Sequence, residues 1–255
     1  MGFMFAETIP LRFAGDGIIA RVRELTGRDE FSVLGTNTAN AIDLLTGLID
    51  SPPSVMDLVA ADRDRLLAAV YKRAFGDRIE STLTCSECSQ PFDLDFSLNS
   101  VIASITESGN DEWTRLPGGR FEAANGFSFR LPTGRDELDA IGGTTREVES
   151  MLLLRCTEGQ EWPEGKVAFE ELLEQVAPII DLELVATCPE CRHIQKVQFD
   201  IQTYLLGALL GERRRLLADI NCIARSYSWS LDEILSLSRS DRRLLVELIE
   251  NEYAA

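Results

Sequence analysis

The sequence predicts an α+β fold in which helical regions at both ends of the chain flank a middle built on β-hairpins. Residues 1–76 and 203–255 carry apolar residues at helical spacing. Residues 77–202 open and close with segments in which apolar and polar residues alternate, the period of a β-strand. Each alternating segment contains a Cys-x-x-Cys motif. We therefore expect three regions, 1–76, 77–202 and 203–255, with an insertion at 99–180 in the middle one.

Three helices are expected in the first region. Thr26 is followed three residues later by Asp29, a spacing that resembles a capping box and predicts a short helix that Gly35 can close. A second helix is expected over 37–49, ended by the Ser-Pro-Pro-Ser turn at 51–54. The third has apolar residues at helical spacing and a glycine where it ends: Leu66, Val70, Ala74 and Gly76.

Two stretches of the middle region repeat each other. They are STLTCSECSQPFDLDF at 81–96 and LVATCPECRHIQKVQF at 184–199. When the cysteines are superposed, similar residues coincide in pairs: Thr84 and Thr187, Glu87 and Glu190, Phe96 and Phe199, and Leu98 and Ile201. Because the sequence contains only two copies, it predicts two similar hairpins and not the stacked repeats of a solenoid.

The four repeated cysteines are the candidate metal ligands: Cys85, Cys88, Cys188 and Cys191. One hairpin tip offers two thiolates, and two facing tips complete the tetrahedral sulfur set that structural zinc prefers. Closing a loop of about a hundred residues costs roughly 4 kcal/mol plus a constant, whereas structural zinc contributes on the order of 10–16 kcal/mol in small peptides. A zinc-ribbon-like middle with a structural zinc ion is therefore expected. Such a closed site leaves no position for substrate, so the ion would not be catalytic.

Other interpretations of the cysteines are a pair of disulfides, a redox pair, or hairpins that hold no metal. A redox Cys-x-x-Cys normally opens a helix in a βαβ unit, and that setting is absent from the pattern. His193 follows the second pair and could replace one cysteine, but with four cysteines present we expect it not to be a ligand. Cys156 and Cys222 lie in apolar helical segments and are interpreted as small buried hydrophobic residues.

The insertion and the C-terminal region have their own signals. Asn125-Gly126 predicts a type I′ turn between two short strands. Helices are expected from 135, over 146–156 and over 167–180, the last strained or ended near Pro178. The segment 205–227 is expected to form the longest helix of the protein. Two short capped helices should follow it, with the capping pairs Ser230 and Glu233, and Ser238 and Asp241.

Composition excludes several classes of function. The net charge of -17 disfavours nucleic acid and anionic lipid as partners, and no run approaches the ~20 apolar residues that span a bilayer. The opening segment has neither a signal peptide's basic start nor a myristoylation motif, so a cytosolic protein is expected. A single histidine and the absence of phosphate-binding motifs favour a protein that is not an enzyme and has no small-molecule substrate. A hydrolase that uses only carboxylates is the remaining enzymatic alternative.

Two further features have two interpretations each. The basic cluster Arg213–215 is interpreted as a solvated stripe, or as a surface that docks on an acidic neighbouring subunit. Four large residues near the C-terminus belong either to the core or to anchors for a partner groove: Trp229, Leu231, Leu235 and Leu245. Core is the expected outcome for these, because leucine and aromatic stripes at helical spacing usually pack within their own chain.

Five strings together resemble a known family. They are RELTGRDEFSVLG, DRDRLLAAVYKRAFGD, the two Cys-x-x-Cys hairpins, and the ending SYSWSLDEILSLSRSDRRLLVELI. In this order they are similar to the baseplate and hub proteins of T-even-type contractile phage tails and to relatives in phage-like contractile injection systems. The resemblance implies a non-enzymatic structural subunit that contacts other tail, baseplate or hub proteins. It also implies a protein that is cytoplasmic when made and is then assembled into a particle.

Two other functions remain compatible with the sequence. The chain could be an assembly chaperone that binds tail parts and then leaves the particle. It could also be a cytosolic zinc-ribbon adaptor or enzyme unrelated to tails. The presence or absence of the protein in purified mature particles separates the first alternative from a structural component.

Overall fold

The computed structural model describes residues 7–15, 17–50, 54–105, 113–163 and 165–254, and it confirms the α+β class. The described part of the first region contains two strands and three α-helices: β1 (Glu7–Pro10), β2 (Ile19–Val22), α1 (Gly27–Ser32), α2 (Thr38–Leu48) and α3 (Ala60–Phe75). A short 3-10 helix, Val55–Asp57, precedes α3. The antiparallel β1–β2 hairpin was not predicted. Its strands have only four residues each, which is too short for a clear alternation of polar and apolar residues.

The predicted starts and ends of these helices are mostly confirmed. Thr26 forms the expected capping box with Asp29. Helix α1 ends at Ser32 and not at Gly35, because Val33 is already extended. Gly76 ends α3 with a φ of 91°, a backbone conformation that favours glycine. The predicted Ser-Pro-Pro-Ser turn spans residues 51–54. Of these, 51–53 lie outside the described residues and Ser54 lies within them.

The middle region contains the two predicted hairpins and the inserted segment. The first hairpin and the helix after it are β3 (Arg78–Thr84), β4 (Pro91–Ser97) and α4 (Leu98–Ser104). The insertion holds β5 (Trp113–Leu116), β6 (Arg120–Ala123), β7 (Ser128–Arg130), α5 (Gly134–Asp139), α6 (Thr145–Cys156) and α7 (Lys166–Val176). The second hairpin is β8 (Asp181–Thr187) and β9 (Ile194–Asp200). Helix α7 ends before Pro178, as expected of a residue that cannot continue a helix.

The turn in the insertion is not of the predicted type. A type I′ turn needs positive φ at both central residues. In this turn Gly126 has a φ of 82°, whereas Asn125 is not among the described residues with positive φ. The amide of Gly126 donates to the carbonyl of Ala123, and the amide of Ala123 donates to the carbonyl of Phe127. The strands are therefore joined by a three-residue loop with glycine in the left-handed position.

The predicted long helix at 205–227 is wrong. The chain instead forms α8 (Ile201–Gly211) and α9 (Arg213–Tyr227), followed by α10 (Leu231–Ser236) and α11 (Arg239–Ala254). Helix α8 buries Leu205 and Leu206 in the main core, whereas α9 buries Ile223 in a separate small core. The two helices meet at Glu212, and their buried residues belong to different cores. Of the described elements, α3 and α11 are longer than either of these two helices.

Four apolar clusters among the described residues hold these elements together, one of them around the repeated cysteines. The main core joins α2, α3 and α8 and includes Leu45, Leu66, Leu67, Leu205 and Leu206. The insertion has an aromatic core of Phe121, Phe129, Trp162 and Phe169, with Cys156 fully buried beside it. The C-terminal helices share Ile223, Ile234 and Ile249. None of the described helices is long and apolar enough to cross a lipid bilayer.

The structure decides between the two interpretations given above for the large residues near the C-terminus and for the basic cluster. Leu235 is buried and Leu245 packs against the C-terminal core, as expected for core residues. Trp229 and Leu231 are exposed, so for these two the core interpretation is wrong. Arg213 is more than a solvated charge, because it donates to the carbonyl of Phe31 and its guanidinium lies 4.4 Å from the Phe31 ring centre.

A buried carboxyl links α3 to the second hairpin. Asp64 accepts a hydrogen bond of 2.8 Å from the amide of Ile180, immediately before β8. Burial is the main cause that raises the pKa of Asp64 to about 7, and Asp200 and Glu137 raise it further while Arg63 lowers it. The folded state therefore holds this proton more tightly than the unfolded chain. The stabilising contribution of the neutral form is lost as pH rises from about 4 through about 7.

We expect Asp64→Asn to remove this pH dependence. Asparagine keeps an acceptor for the Ile180 amide and carries no charge at any pH. The variant should be more stable than the natural protein above pH 7, by on the order of a few kcal/mol, and the difference should shrink towards pH 4. Urea unfolding at a series of pH values checks this. A difference between variant and natural protein that does not change with pH would contradict it.

Candidate metal centre

The two cysteine hairpins have the same register. Strands β3 and β4 pair from Arg78 with Ser97 to Thr84 with Pro91. Strands β8 and β9 pair from Asp181 with Asp200 to Thr187 with Ile194. In both, the last strand pair is followed directly by the first cysteine. The repeat seen in the sequence is thus a repeat of backbone geometry.

The tips of the hairpins are also alike. The amide of Cys85 donates to the carbonyl of Gln90 at 3.0 Å, and the amide of Cys188 donates to the carbonyl of His193 at 2.9 Å. Each turn then closes through a residue in the left-handed region, Ser89 with φ 59° and Arg192 with φ 63°. Each tip therefore presents its two thiols in the same way.

The structure brings all four predicted cysteines together. Their sulfur atoms lie within 4.8 Å of one another. The Sγ atoms of Cys85 and Cys191 are 3.6 Å apart, and those of Cys88 and Cys188 are 3.7 Å apart. Tetrahedral zinc with Zn–S bonds of about 2.3 Å separates its sulfurs by about 3.8 Å, and a disulfide bond would be about 2.05 Å long. The four thiols are free and fit a four-coordinate metal ion in both number and spacing.

The surroundings of the sulfurs suit a structural site. Cys85 and Cys188 are buried, Cys88 is partly buried, and Cys191 is exposed. Apolar side chains of both hairpins, including Phe92 and Ala186, pack around the cluster. Hydrogen bonds from the backbone, that of Cys88 first, lower the pKa of Cys85 to about 6, whereas burial and hydrogen bonds with the neighbouring thiols raise the pKa values of Cys88 and Cys191.

The other candidate residues lie outside this cluster. Cys156 is fully buried in the insertion, as predicted, and burial raises its pKa to about 12. Cys222 is only partly buried, against the core of the C-terminal helices, so the prediction that it is a small buried hydrophobic residue is confirmed only in part. His193 is not a member of the group of described residues that could hold a metal. The metal-ligating potential is thus confined to the four repeated cysteines among the described residues.

Contacts that the sequence did not reveal hold the two hairpins against each other. The Gln195 side chain accepts from the amide of Ser86 at 3.0 Å and donates to the carbonyl of Thr84 at 3.3 Å. The rings of Phe96 and Phe199 meet edge to face at 5.0 Å. The phenylalanine pair was recognisable as equivalent positions of the repeat. Gln195 carried no such signal, because the equivalent position of the first copy is Phe92, which cannot make these hydrogen bonds.

Tyr204 adds a second link of this kind. Its hydroxyl donates to the carbonyl of Glu80 at 2.5 Å and accepts from the amide of the same residue at 3.2 Å. Tyr204 belongs to α8, which follows the second hairpin, whereas Glu80 belongs to β3 of the first. The two halves of the site are therefore joined by protein contacts as well as by the sulfur cluster.

Comparison with known proteins gives one match. A family model described as T4 bacteriophage base plate protein matches residues 9–179. Searches of curated proteins and of solved structures return no match. The matched residues include Cys85 and Cys88 and end shortly before the second cysteine pair. They also span α1 to α7, more than half of the chain. The resemblance expected from the sequence is confirmed at the level of the family, and the chain belongs to the T4 bacteriophage base plate protein family.

Proposed function

We propose that the protein is a non-enzymatic structural component of the baseplate or hub of a contractile phage tail or phage-like injection system. Family membership over residues 9–179 is the observation that carries this proposal. The absence of a recognisable catalytic motif in the sequence agrees with it. Its partners would be other tail, baseplate and hub proteins, and it would be made in the cytoplasm before assembly.

We propose further that Cys85, Cys88, Cys188 and Cys191 hold one structural zinc ion. The supporting observation is the spacing of the sulfurs, with pairs at 3.6 and 3.7 Å. The ion would join two hairpins that lie far apart in the sequence and would fix the position of the insertion between them. Such a site adds stability without chemistry, as suits a subunit that must keep its shape under load.

The three-region division 1–76, 77–202 and 203–255 stays a proposal about organisation. The zinc site would be the joint of the middle region, and the helical ends would offer surfaces to neighbouring subunits. Because the net charge is -17, we expect those neighbours to present basic surfaces.

The composition of purified particles tests the structural role. We expect a band of about 28 kDa at a fixed ratio to other baseplate proteins in mature particles, and particles without a baseplate when the gene is deleted. Assembly defects without the band in mature particles would instead identify a chaperone. Normal particles after deletion would contradict both roles and favour an adaptor unrelated to tails.

A further inference from the structure

Helix α9 carries a positively charged surface in a chain whose net charge is -17. Exposed residues at helical spacing form this surface, which we name the basic face: Arg214, Leu217, Asn221 and Arg225. The only carboxylate within α9 is that of Asp219, which is buried and lies 3.6 Å from Arg242 of α11. The exposed charge of α9 is therefore entirely positive.

Helix α11 carries a surface of the opposite charge. Four exposed residues at helical spacing form it, and we name it the acidic face: Asp241, Leu244, Leu248 and Glu252. The arginines of α11 are all used inside the chain, where they pair with Glu30 or with Glu212: Arg239, Arg242 and Arg243. No base of α11 therefore neutralises its acidic face.

Both faces have leucine between their charges. Leu217 is 49% exposed, Leu244 is 54% exposed and Leu248 is 48% exposed. A single exposed leucine is normal on a protein surface, but Leu244 and Leu248 lie one helical turn apart and form a stripe. An apolar centre with charged residues at its rim is the composition of a protein–protein contact. Each face thus has the character of one half of a helix–helix contact.

The two faces do not meet within one chain. Helices α9 and α11 pack against each other through buried residues, including Ile223 and Ile249. Because side chains on opposite sides of a helix point in opposite directions, the exposed faces lie on the far sides of this contact. Among the residues that the structure describes, the four charged residues of the faces form no ion pair: Arg214, Arg225, Asp241 and Glu252. Their charges are therefore available to another molecule.

We propose that the basic face of α9 binds the acidic face of α11 in a second copy of this chain. The two faces match position by position, because both have successive spacings of three, four and four residues. When the helices run in the same direction, Arg214 lies opposite Asp241, and Leu217 lies opposite Leu244. About 16 Å further along, Arg225 lies opposite Glu252. Since the two faces of one copy point apart, the copies associate head to tail.

Light scattering of the full-length protein at increasing concentration tests this contact. We expect the mass to rise above the 28.3 kDa of one chain, and sodium chloride at about 1 M to weaken the association because it screens exposed charges. Leu217→Asp disrupts the basic face, and Leu244→Arg with Leu248→Arg disrupts the acidic face. Each change should weaken association at least tenfold. The matched control is Leu154→Asp on α6, which should have no effect although Leu154 is 51% exposed.

A mixture of the two disrupted proteins distinguishes this contact from others. Each of them keeps the face that the other lacks, so together they should form pairs with twice the mass of one chain and nothing larger. If either loses its helical circular dichroism, Arg214→Glu with Arg225→Glu replaces the basic-face variant and Glu252→Arg the acidic-face variant. A natural protein that keeps the mass of one chain up to about 1 mM would overturn the proposal and leave the faces to a different protein. A mixture of folded variants that forms no pairs would overturn it too.

Discussion

Replacing Cys188 with serine is expected to empty the proposed zinc site and to loosen the middle region, although protein contacts still join the two hairpins. Three sulfurs remain, and the lost ligand is one of the two buried ones. Structural zinc contributes on the order of 10–16 kcal/mol in small peptides, which is comparable to the ~5–15 kcal/mol total stability of a domain. We expect elemental analysis to fall from one zinc per chain to far less than one, and the thermal unfolding midpoint to drop. Cys85→Ser should behave in the same way.

The two remaining cysteines provide matched controls. Cys222→Ser should leave both the zinc content and the stability nearly unchanged, because this side chain is only partly buried. Cys156→Ser should also leave zinc unchanged, although placing a hydroxyl at a fully buried position costs about 1–3 kcal/mol. Zinc content that survives Cys188→Ser but falls in either control would show that the ligands are assigned wrongly.

The second large effect is expected at Glu30. This buried carboxylate accepts from both Arg239 and Arg242. Arg239 also pairs with Glu212, but among the described residues Arg242 would keep only Asp219, at 3.6 Å. Removing one member of a buried ion pair leaves an uncompensated charge and typically costs about 3–5 kcal/mol. We expect Glu30→Gln to lower the free energy of unfolding by about this amount in urea titrations.

Two controls measure whether burial is the cause. Glu137→Gln removes the ion pair with Arg63, where the glutamate side chain is 25% exposed, and should destabilise less. Asp232→Asn removes an exposed pair with Arg28 and should cost no more than about 1 kcal/mol. If all three substitutions had the same effect, burial of the Glu30 network would not explain its contribution.

The cysteine site could be predicted because its sequence signal, a Cys-x-x-Cys motif between two strand-like segments, is local and occurs in two copies. Each hairpin combines a strand period, a pair of cysteines and the same turn, so the four sulfurs of Cys85, Cys88, Cys188 and Cys191 could be grouped from spacing alone. Alternating residues placed the strands, and capping pairs such as Thr26 with Asp29 placed helix starts. These features depend on neighbours within a few residues, and pattern reasoning captures them well.

Features that depend on distant contacts were missed. The break at Glu212 lies between helices whose buried residues belong to separate cores, and nothing in the uniform helical pattern of 205–227 marks it. The Asn125-Gly126 loop has three residues in place of the predicted two, and only its glycine takes positive φ. The string Thr-Gly-Arg-Asp-Glu occurs at 26–30 and at 133–137, but its contacts with Arg242 and Arg63 come from distant parts of the chain.

X-ray absorption at the zinc edge of the purified full-length protein tests the central claim most directly. We expect one zinc ion per chain with four sulfur neighbours at about 2.3 Å and no oxygen or nitrogen in its coordination sphere. A protein that is purified without metal and shows disulfide bonds among Cys85, Cys88, Cys188 and Cys191 would contradict the claim. So would a zinc ion bound by fewer than four sulfurs.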